Sequence, residues 1–357
     1  MYIFGNTAAN LEKQGIATGF RFMGTTAGFG IITHLIDYTE SSSYGRAFAV
    51  GFLNTMLVAF TGIIAATIIG VFIGISRLSH NWLISRLAMV YIELFRNIPL
   101  LLQIFFWYFA VLRALPAPKN SVNFMDGVFI NNRGIYLPSA IYEEGFSLVL
   151  GALFIAIVAV IFMARWAHKR QEATGQQFHT FYVAIAILVG LPLLALTVTG
   201  FPLSWEIPAL KGFNFKGGTV IIPEFVALWL SLSVYTASFI AEIVRAGIQA
   251  VSHGQTEASH ALGLTAGPTL RLVILPQALR VIIPPLSSQF LNLTKNSSLA
   301  TAIAYPEMVS VFTGTVLNQT GQAVEIISMT MGVYLSISLG ISALMNWYNA
   351  RMALVER

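Results

Sequence analysis

The sequence predicts an all-α fold, a membrane-embedded bundle of about seven spanning helices. Of the 357 residues, 56% are hydrophobic and 10% are charged, whereas a soluble domain carries about 25% charged residues. Uncharged stretches recur at the length that a helix needs to cross a bilayer, about 20 residues at about 1.5 Å each. Most of the surface must therefore meet lipid or other apolar helices.

Seven stretches are candidate spans. In chain order they are residues 47–76, 83–112, 145–164, 180–205, 225–245, 281–294 and 326–350. The first contains no charge and lies between Arg46 and Arg77. Glu93, Arg96 and Pro99 interrupt the second, and the sixth is the shortest.

Basic residues indicate which side of the bundle faces the cytoplasm. Lys and Arg crowd alternate short loops, which is typical of cytoplasmic loops; they are Arg77, Arg86, Arg165, Lys169, Arg170, Arg245, Arg271, Arg280, Arg351 and Arg357. Residues 1–46 then form an outer N-terminal segment, and residues 351–357 a cytoplasmic tail. Because an outer segment should follow a span, we expect the natural start to lie upstream of Met1.

Composition and motifs exclude several classes of function. The formal charge of +5 is small for this length and marks no nucleic-acid-binding surface. There is no cysteine, which excludes disulfides and thiolate metal sites, and the six histidines lack metal-binding spacing with carboxylates. No Gly-x4-Gly-Lys-Ser/Thr phosphate loop occurs. We therefore expect a chain without catalytic residues, cofactor or metal, and without a phosphate loop for ATP hydrolysis of its own.

Small residues repeat every fourth position in two of the predicted spans. Gly62, Ala66, Gly70 and Gly74 form one run, and Gly332, Ser336 and Gly340 form the other. Small residues at this spacing let helix backbones approach closely in lipid, where van der Waals contacts stabilise association. Both runs predict helix packing; the alternative is chance in glycine-rich helices.

The polar loop 246–280 has the features of a short exposed helix. Gly254 interrupts the chain, and residues 255–262 can form about two helical turns, with Glu257 at the positive end of the helix dipole. Ala258, Ala261 and Leu262 would share one small apolar face, and Gly263 would end the helix. Pro268 suits the first turn of the next helix, and Leu275-Pro276 would turn that helix toward the membrane. Such a helix suits docking in a groove of a partner; the alternative is an ordinary loop.

The same loop resembles a known motif. The matching residues are Glu257, Ala258, Ser259, Gly263, Leu275 and Pro276. They are similar to the EAA loop of permease subunits in ATP-driven importers, which docks on the ATPase; the departures are Ser259 for Ala and Val273 for Ile. The resemblance implies that these residues couple the chain to an ABC ATPase dimer.

Further segments extend the resemblance to most of the chain. Residues 91–101 resemble the Tyr-x-Glu-x-Phe-Arg-Gly-Thr-Pro-Leu-Leu stretch of polar amino-acid permeases, with Asn97 in place of Gly. Residues 235–248, 283–286 and 293–299 resemble the spans on either side of their docking loop. The resemblance implies a type I ABC importer permease-like bundle in a bacterial inner membrane.

Residues 113–221 are an insertion relative to the smaller permeases, and they contain two of the predicted spans. We therefore divide the chain into the outer segment 1–46, two core spans in 47–112, the insertion 113–221, the permease core 222–350 with its docking loop 246–280, and the tail 351–357. This enlarged form resembles the general L-amino-acid uptake systems of Gram-negative bacteria. The resemblance implies import of L-amino acids with a second related permease in a heterodimer, an ATPase dimer and a periplasmic binding protein.

Two pairs of charges lie within predicted spans, where each costs about 2.5–3.5 kcal/mol on insertion scales. Glu93 and Arg96 are three residues apart, so they share a helix face and can neutralise each other. Pro99 frees a backbone carbonyl nearby. We favour an ion pair that braces a kinked helix over a gate. Glu242 and Arg245 have the same spacing and a similar bracing role.

Lys295 has no acidic neighbour within a helical turn, and Asn296, Ser297 and Ser298 follow it. A substrate carboxylate is a suitable partner for Lys295, which places these four residues on a tentative substrate pathway. The alternative is a lysine whose ammonium reaches the outer membrane interface. Glu307 and Gln319 are expected in the outer loop, in a position to face the binding protein.

Three functions compete at this point. The leading one is a permease subunit of an ATP-driven amino-acid importer, in which ATPase closure rocks the helices between inward-facing and outward-facing states. An ion-coupled secondary transporter would show internal repeats and broken helices, and it would leave the docking loop unexplained. A membrane scaffold without a substrate pathway is the third.

Overall fold

The computed structural model describes residues 19–352, and only the backbone of Met352. Residues 1–18 of the predicted outer segment and residues 353–357 of the predicted tail lie outside the described part. The chain divides into two compact units, one formed by Met1–Leu115 with Ile222–Arg357 and the other by Pro116–Ile221.

Helices dominate both units. In chain order they are α1 (Tyr44–Arg77), α2 (Trp82–Asn97), α3 (Leu100–Phe105, continued by a π-helical segment Phe106–Leu112), α4 (Phe146–Thr174), α5 (Thr180–Val198), α6 (Pro223–Gln249), α7 (His253–Ala261), α8 (Ala266–Thr269, continued by a π-helical segment Leu270–Ile274), α9 (Leu275–Asn296), α10 (Leu317–Thr320) and α11 (Ala323–Met352). Shorter 3-10 helices are Arg21–Gly24, Pro118–Asn120 and Ser297–Ile303, and a third π-helical segment, Val309–Val316, leads into α10.

Within residues 19–352, six helical runs are long and apolar enough to cross a membrane, and the bent pair α2–α3 raises the number to seven. The predicted helical fold is therefore confirmed, but several bounds were wrong. The span predicted at 281–294 belongs to a longer helical run, Ala266–Ile303. Helix α4 continues ten residues past the predicted end at 164. Helix α5 ends at Val198, and Gly200 follows it with a left-handed φ of +73° before a strand begins at Leu203.

The span predicted at 83–112 is two helices bent by 104°. Ile98 precedes a proline and has extended dihedrals, φ −93° and ψ 128°, as the proline ring requires of its neighbour. The buried side chain of Gln103 stabilises the bend, since its Nε2 donates to the carbonyls of Phe95 at 3.0 Å and Ile98 at 2.9 Å.

Helix α1 packs closely on α6 through its small residues. A Cβ built on Gly70 would lie 2.6 Å from the Cβ of Ile240, and one on Gly74 would lie 2.6 Å from the carbonyl oxygen of Ala241. Ala66 is fully buried. The packing predicted for this run is therefore confirmed.

The second run of small residues is different. A Cβ on Gly332 or Gly340 would meet no described atom within 4 Å, and Ser336 is exposed. Among the described residues, no other helix of this chain packs against this run, and these residues of α11 lie on an open face of the first unit. Packing of this run against a helix of another chain stays a prediction.

The described part of the N-terminal segment is folded onto the first unit. Phe22, Ile31 and Tyr38 are buried in a cluster with residues of α1 and α11. The Asn54 side chain of α1 donates to the carbonyls of Thr33 and Pro306, both at 2.8 Å. These contacts bind residues 19–43 to one end of the helix bundle.

The insertion contains short strands as well as the helices α4 and α5, which the all-α prediction did not include. The strands are β1 (Val122–Met125), β2 (Val128–Asn131), β3 (Gly134–Leu137), β4 (Ser139–Tyr142), β5 (Leu203–Glu206), β6 (Ala209–Lys211), β7 (Asn214–Lys216) and β8 (Thr219–Ile221). All pairs are antiparallel, in a sheet of order β1-β2-β3-β8 and two two-stranded sheets, β4-β5 and β6-β7. Pairing of β3 with β8 and of β4 with β5 closes the insertion, because each pair joins chain that precedes α4 to chain that follows α5.

Candidate functional site

The loop between α6 and α9 contains a well-defined helix end. Helix α7 ends at Ala261, and Gly263 follows with a left-handed φ of +79°. Gly263 N donates to the carbonyl of His260 at 2.9 Å, and Leu264 N donates to the carbonyl of Ser259 at 3.0 Å. These two hydrogen bonds form a Schellman motif. Gly263 thus ends the helix as the sequence predicted.

The start of the helix lies earlier than predicted. Helix α7 begins at His253, so Gly254 lies within its first turn and does not interrupt the chain. Glu257 consequently lies one turn inside the helix, not at its positive end. Its Oε1 is 3.0 Å from Nδ1 of His253.

One face of α7 is open to solvent. Ala258, Ala261 and Leu262 are all exposed, and Leu262 is 82% exposed. Ser259 faces the opposite way, is 3% exposed, and donates through Oγ to the carbonyl of Gln255 at 2.6 Å. The residue at which the motif departs from Ala therefore lies on the buried side, and the exposed apolar face is preserved.

The chain after α7 passes into the membrane without the turn predicted at Leu275-Pro276. Residues Ala266–Ile303 form one helical run, in which the π-helical segment Leu270–Ile274 directly precedes Leu275-Pro276. The wider hydrogen bonding of a π-helical segment accommodates the proline, which lacks an N–H. Gln277 Nε2 of α9 donates to Gln255 Oε1 of α7 at 3.2 Å. This contact connects the exposed helix to the start of a membrane span.

At the other end of that span, a cavity of about 410 Å³ is lined by Lys295, Ser298, Val309, Thr330, Met331 and Tyr334. Among the described residues no carboxylate lies within 4.0 Å of the Lys295 ammonium. Asn296 is absent from the cavity lining. Ser297 is buried and donates to the carbonyl of Thr294 at 2.7 Å. The structure thus brings Lys295 and Ser298 of the four predicted pathway residues to one cavity.

Glu307 was expected on an outer surface, but it is fully buried. Its carboxylate accepts four hydrogen bonds: from Val309 N and Ser310 N at 2.8 Å, from Tyr334 Oη at 2.8 Å and from Thr301 Oγ1 at 3.1 Å. Burial raises the pKa of Glu307 to about 6, although these hydrogen bonds act in the opposite direction. Glu307 therefore holds the Tyr334 ring in the wall of the cavity.

Gln319, the other residue expected to face outward, accepts a hydrogen bond from Tyr44 Oη at 2.9 Å. The contact of Glu307 with Tyr334 could not be predicted from a short-range pattern, because Tyr334 lies 27 residues away along the chain.

The two pairs of intramembrane charges differ. Glu242 and Arg245 form the expected ion pair, with Arg245 Nε 3.1 Å from each carboxylate oxygen. Glu93 and Arg96 do not pair within 4.0 Å; the Arg96 guanidinium lies over the Phe239 ring, 5.2 Å from its centroid. The ion pair favoured for Glu93 and Arg96 was therefore wrong, and Gln103 is the residue that braces the bend beside Pro99. Within residues 19–352 no group of three His, Asp or Glu side chains is arranged to hold a metal ion.

Comparison with known proteins places these features in a family context. The family model for "Binding-protein-dependent transport system inner membrane component" matches residues 179–354. The chain is 58% identical over 356 residues to the putative amino-acid ABC transporter permease protein YhdX of Escherichia coli K12, covering 100% of this chain and 91% of that protein. It is 57% identical over 356 residues to the general L-amino acid transport system permease protein AapQ of Rhizobium johnstonii, covering 100% and 89%.

A more distant full-length relative is the glutamate/glutamine/aspartate/asparagine transport system permease protein BztB of Rhodobacter capsulatus, 43% identical over 388 residues, covering 100% of this chain and 91% of that protein. Among solved structures, a crystal structure of an amino acid ABC transporter with histidines matches with a TM-score of 0.51 and 20% identity, covering 86% of this chain and 95% of that chain. At this identity the structural match concerns the fold.

Proposed function

The chain belongs to the inner-membrane permeases of binding-protein-dependent ABC transporters, and we propose that it imports L-amino acids as one half of a permease pair that an ATPase dimer drives. Membership implies an ATPase and a substrate-binding protein as partners, with ATP hydrolysis on the ATPase. The observation that carries the coupling is the exposed, Schellman-capped helix α7 between two membrane spans.

The proposed coupling acts through the contacts of α7. Its exposed face of Ala258, Ala261 and Leu262 would lie in a groove of the ATPase, while the Gln255–Gln277 hydrogen bond connects it to α9. Closure of the ATPase dimer on ATP would move α7, and α9 would move with it as a rigid element. Glu257, Ser259, Gly263, Leu275 and Pro276 support this helix and its continuation into the membrane rather than the chemistry of transport.

We assign the substrate pathway to the cavity that contains Lys295 and Ser298. The ammonium of Lys295 has no described carboxylate partner, so it suits the α-carboxylate of an amino acid. Tyr334, held by Glu307, forms the opposite part of the lining. Lys295→Met is expected to reduce ATP-dependent uptake of labelled amino acids in proteoliposomes about tenfold or more, since a hydrogen bond to a charged group is lost.

Lys295→Arg, which keeps the positive charge, is the matched variant and should retain part of the uptake. Both variants should assemble with the ATPase in wild-type amounts. Unchanged uptake by Lys295→Met would remove Lys295 from the pathway.

The pairing with a second permease is supported by the open face of α11. A Cβ on Gly332 or Gly340 would meet no described atom within 4 Å, and Ser336 is exposed. Small residues at this spacing permit close approach of a helix from another chain. Native mass spectrometry of the purified transporter should show one copy of this chain, one related permease and two ATPase subunits. A mass that corresponds to two copies of this chain and two ATPase subunits would show a homodimer and contradict the proposed heterodimer.

An ion-coupled mechanism is the alternative for the same cavity. In proteoliposomes with ATP inside and the binding protein outside, uptake that persists after an ionophore collapses ion gradients supports the ABC mechanism. Uptake that requires a gradient and not ATP would support the alternative.

A further inference from the structure

A second, charged cavity lies where α1, α2 and α6 meet, on the same side of the bundle as the docking loop. Its volume is about 230 Å³, and its lining residues are Arg77, Met89, Ile92, Glu93, Glu242 and Arg245. Arg77 is the last residue of α1, and α6 leads from Glu242 and Arg245 toward α7. The cavity therefore lies near the docking loop, at the end of the spans opposite to the end that contains Lys295.

Two of the four charged side chains of this cavity form an ion pair, and the other two do not. Glu242 and Arg245 neutralise each other, and Arg245 Nη1 also donates to Gln249 Oε1 at 2.6 Å. Arg77 Nη1 donates to the Ser85 hydroxyl at 3.0 Å, and no carboxylate among residues 19–351 lies within 4.0 Å of its guanidinium.

Glu93 is the second charged side chain of this cavity that forms no ion pair, and its charge is negative. Its carboxylate accepts one neutral hydrogen bond, from Asn97 Nδ2 at 3.2 Å, and Arg96 on the same helix is turned toward Phe239. One cation on α1 and one anion on α2 thus line the same cavity without a salt bridge within 4.0 Å among the described residues. The Arg77 charge interacts with Glu242 at longer range. Ionisable side chains within membrane-spanning segments are costly to insert and are candidates for functional sites.

A zwitterion fits this arrangement. A guanidinium offers a planar set of donors that matches a carboxylate, and the Glu93 carboxylate accepts hydrogen bonds from an ammonium group. Met89 and Ile92 supply an apolar surface for a side chain. The four ionic side chains sum to zero charge, so a ligand with no net charge leaves the cavity neutral. The volume is below the range of about 300–1,000 Å³ for drug-sized ligands, which suits a small metabolite.

We propose that this cavity binds the α-carboxylate of a free amino acid at Arg77 and its α-ammonium group at Glu93, as a site on the docking-loop side through which substrate leaves the permease. The proposal rests on the proposed amino-acid import and adds a second site to it. It assigns to Arg77 and Glu93 a role that their loop and motif positions do not indicate.

The test is equilibrium binding of labelled L-glutamine to the assembled transporter in nanodiscs, without nucleotide or binding protein. All variants are made in a Lys295→Met background, which impairs the other cavity. The competitors are 4-aminobutanamide, which lacks the α-carboxylate, and glutaramate, which lacks the α-ammonium group. Arg77→Gln should weaken glutamine binding about tenfold or more and abolish the preference for glutamine over 4-aminobutanamide. Glu93→Gln should abolish the preference over glutaramate.

Arg86→Gln is the matched control, because Arg86 is exposed on α2 and outside the cavity lining. It should bind glutamine like the parent. If Arg77→Gln and Glu93→Gln bind glutamine with the affinity of the Lys295→Met parent, the proposal is wrong. An equal loss of affinity for glutamine and for both competitors would also overturn it, because such a loss indicates a structural defect. Failure of the proposed function is distinguishable, since the wild-type transporter would then show no ATP-dependent uptake at all.

Discussion

The left-handed conformation of Gly263 predicts how much a side chain at this position weakens binding of the ATPase. With φ at +79°, any other L-residue in this position is strained by roughly 1–2 kcal/mol. A Cβ at Gly263 would meet no described atom within 4 Å, so Gly263→Ala adds strain without a clash. If the capped end of α7 is the form that the ATPase binds, this strain weakens binding by about 5- to 30-fold.

Gly254→Ala is the matched control, because it makes the same chemical change within the same helix. Gly254 has no left-handed φ and no atom near its Cβ position, and Ala is favoured over Gly inside a helix by roughly 0.5–1 kcal/mol. We therefore expect Gly254→Ala to bind the ATPase as well as the wild type or slightly better. Gly263→Asn should fall between Gly263→Ala and the wild type, since Asn tolerates the left-handed region.

The assay is equilibrium binding of the purified ATPase to the permease pair in nanodiscs, with membrane insertion checked for each variant. Gly263→Arg, which adds a long charged side chain beside the docking face, should abolish both binding and transport while insertion remains intact. Equal affinities for Gly263→Ala, Gly254→Ala and the wild type would refute the assignment of this helix end to the docking surface.

Two further predictions concern packing and protonation. Gly70→Ala should lower the free energy of unfolding of the purified protein by about 1–3 kcal/mol, because its Cβ would lie 2.6 Å from that of Ile240. Gly332→Ala, at an open position, should leave the free energy of unfolding unchanged. Equal stabilities of the two variants would contradict the α1–α6 packing. Burial raises the pKa of Glu307 from 4.5 to about 6. The contribution of the protonated Glu307 carboxyl to the free energy of unfolding is therefore complete below about pH 4.5 and is lost as pH rises through about 6. This change in the free energy of unfolding is about 2 kcal/mol. Unfolding midpoints of the wild type measured against Glu307→Gln from pH 4.5 to 7 should show this decline, and a pH-independent difference would contradict it.

Local patterns predicted much of this molecule. Charge-free runs located the spans, because lipid requires continuous apolar surface, and the small residues of α1 indicated its close packing. The Schellman end of α7 was also predictable, since Gly263 follows a short apolar face at the position where a left-handed residue is needed. In each case the decisive information lay within a few residues of chain.

The parts that sequence did not reveal depend on distant contacts. Glu93 and Arg96 have the spacing of an ion pair, yet Arg96 lies over Phe239 of another helix. The burial of Glu307 was not evident from its own stretch of chain, and one of its four hydrogen-bond donors, Tyr334 of α11, lies 27 residues away. The strands of the insertion are three or four residues long, which is too short for an alternating pattern. Strand β3 pairs with β8, and both α4 and α5 lie between these two strands in the sequence.

The most direct test of the account asks what lies against the exposed face of α7 in the assembled transporter. The chain contains no cysteine, so Leu262→Cys introduces a single thiol for a benzophenone maleimide, with cysteine-free partner subunits. Leu335→Cys on α11, where the side chain is 59% exposed, is the control. We predict that irradiation links position 262, and not position 335, to the ATPase. A transport-active complex in which position 262 never links to the ATPase would contradict the docking of this helix.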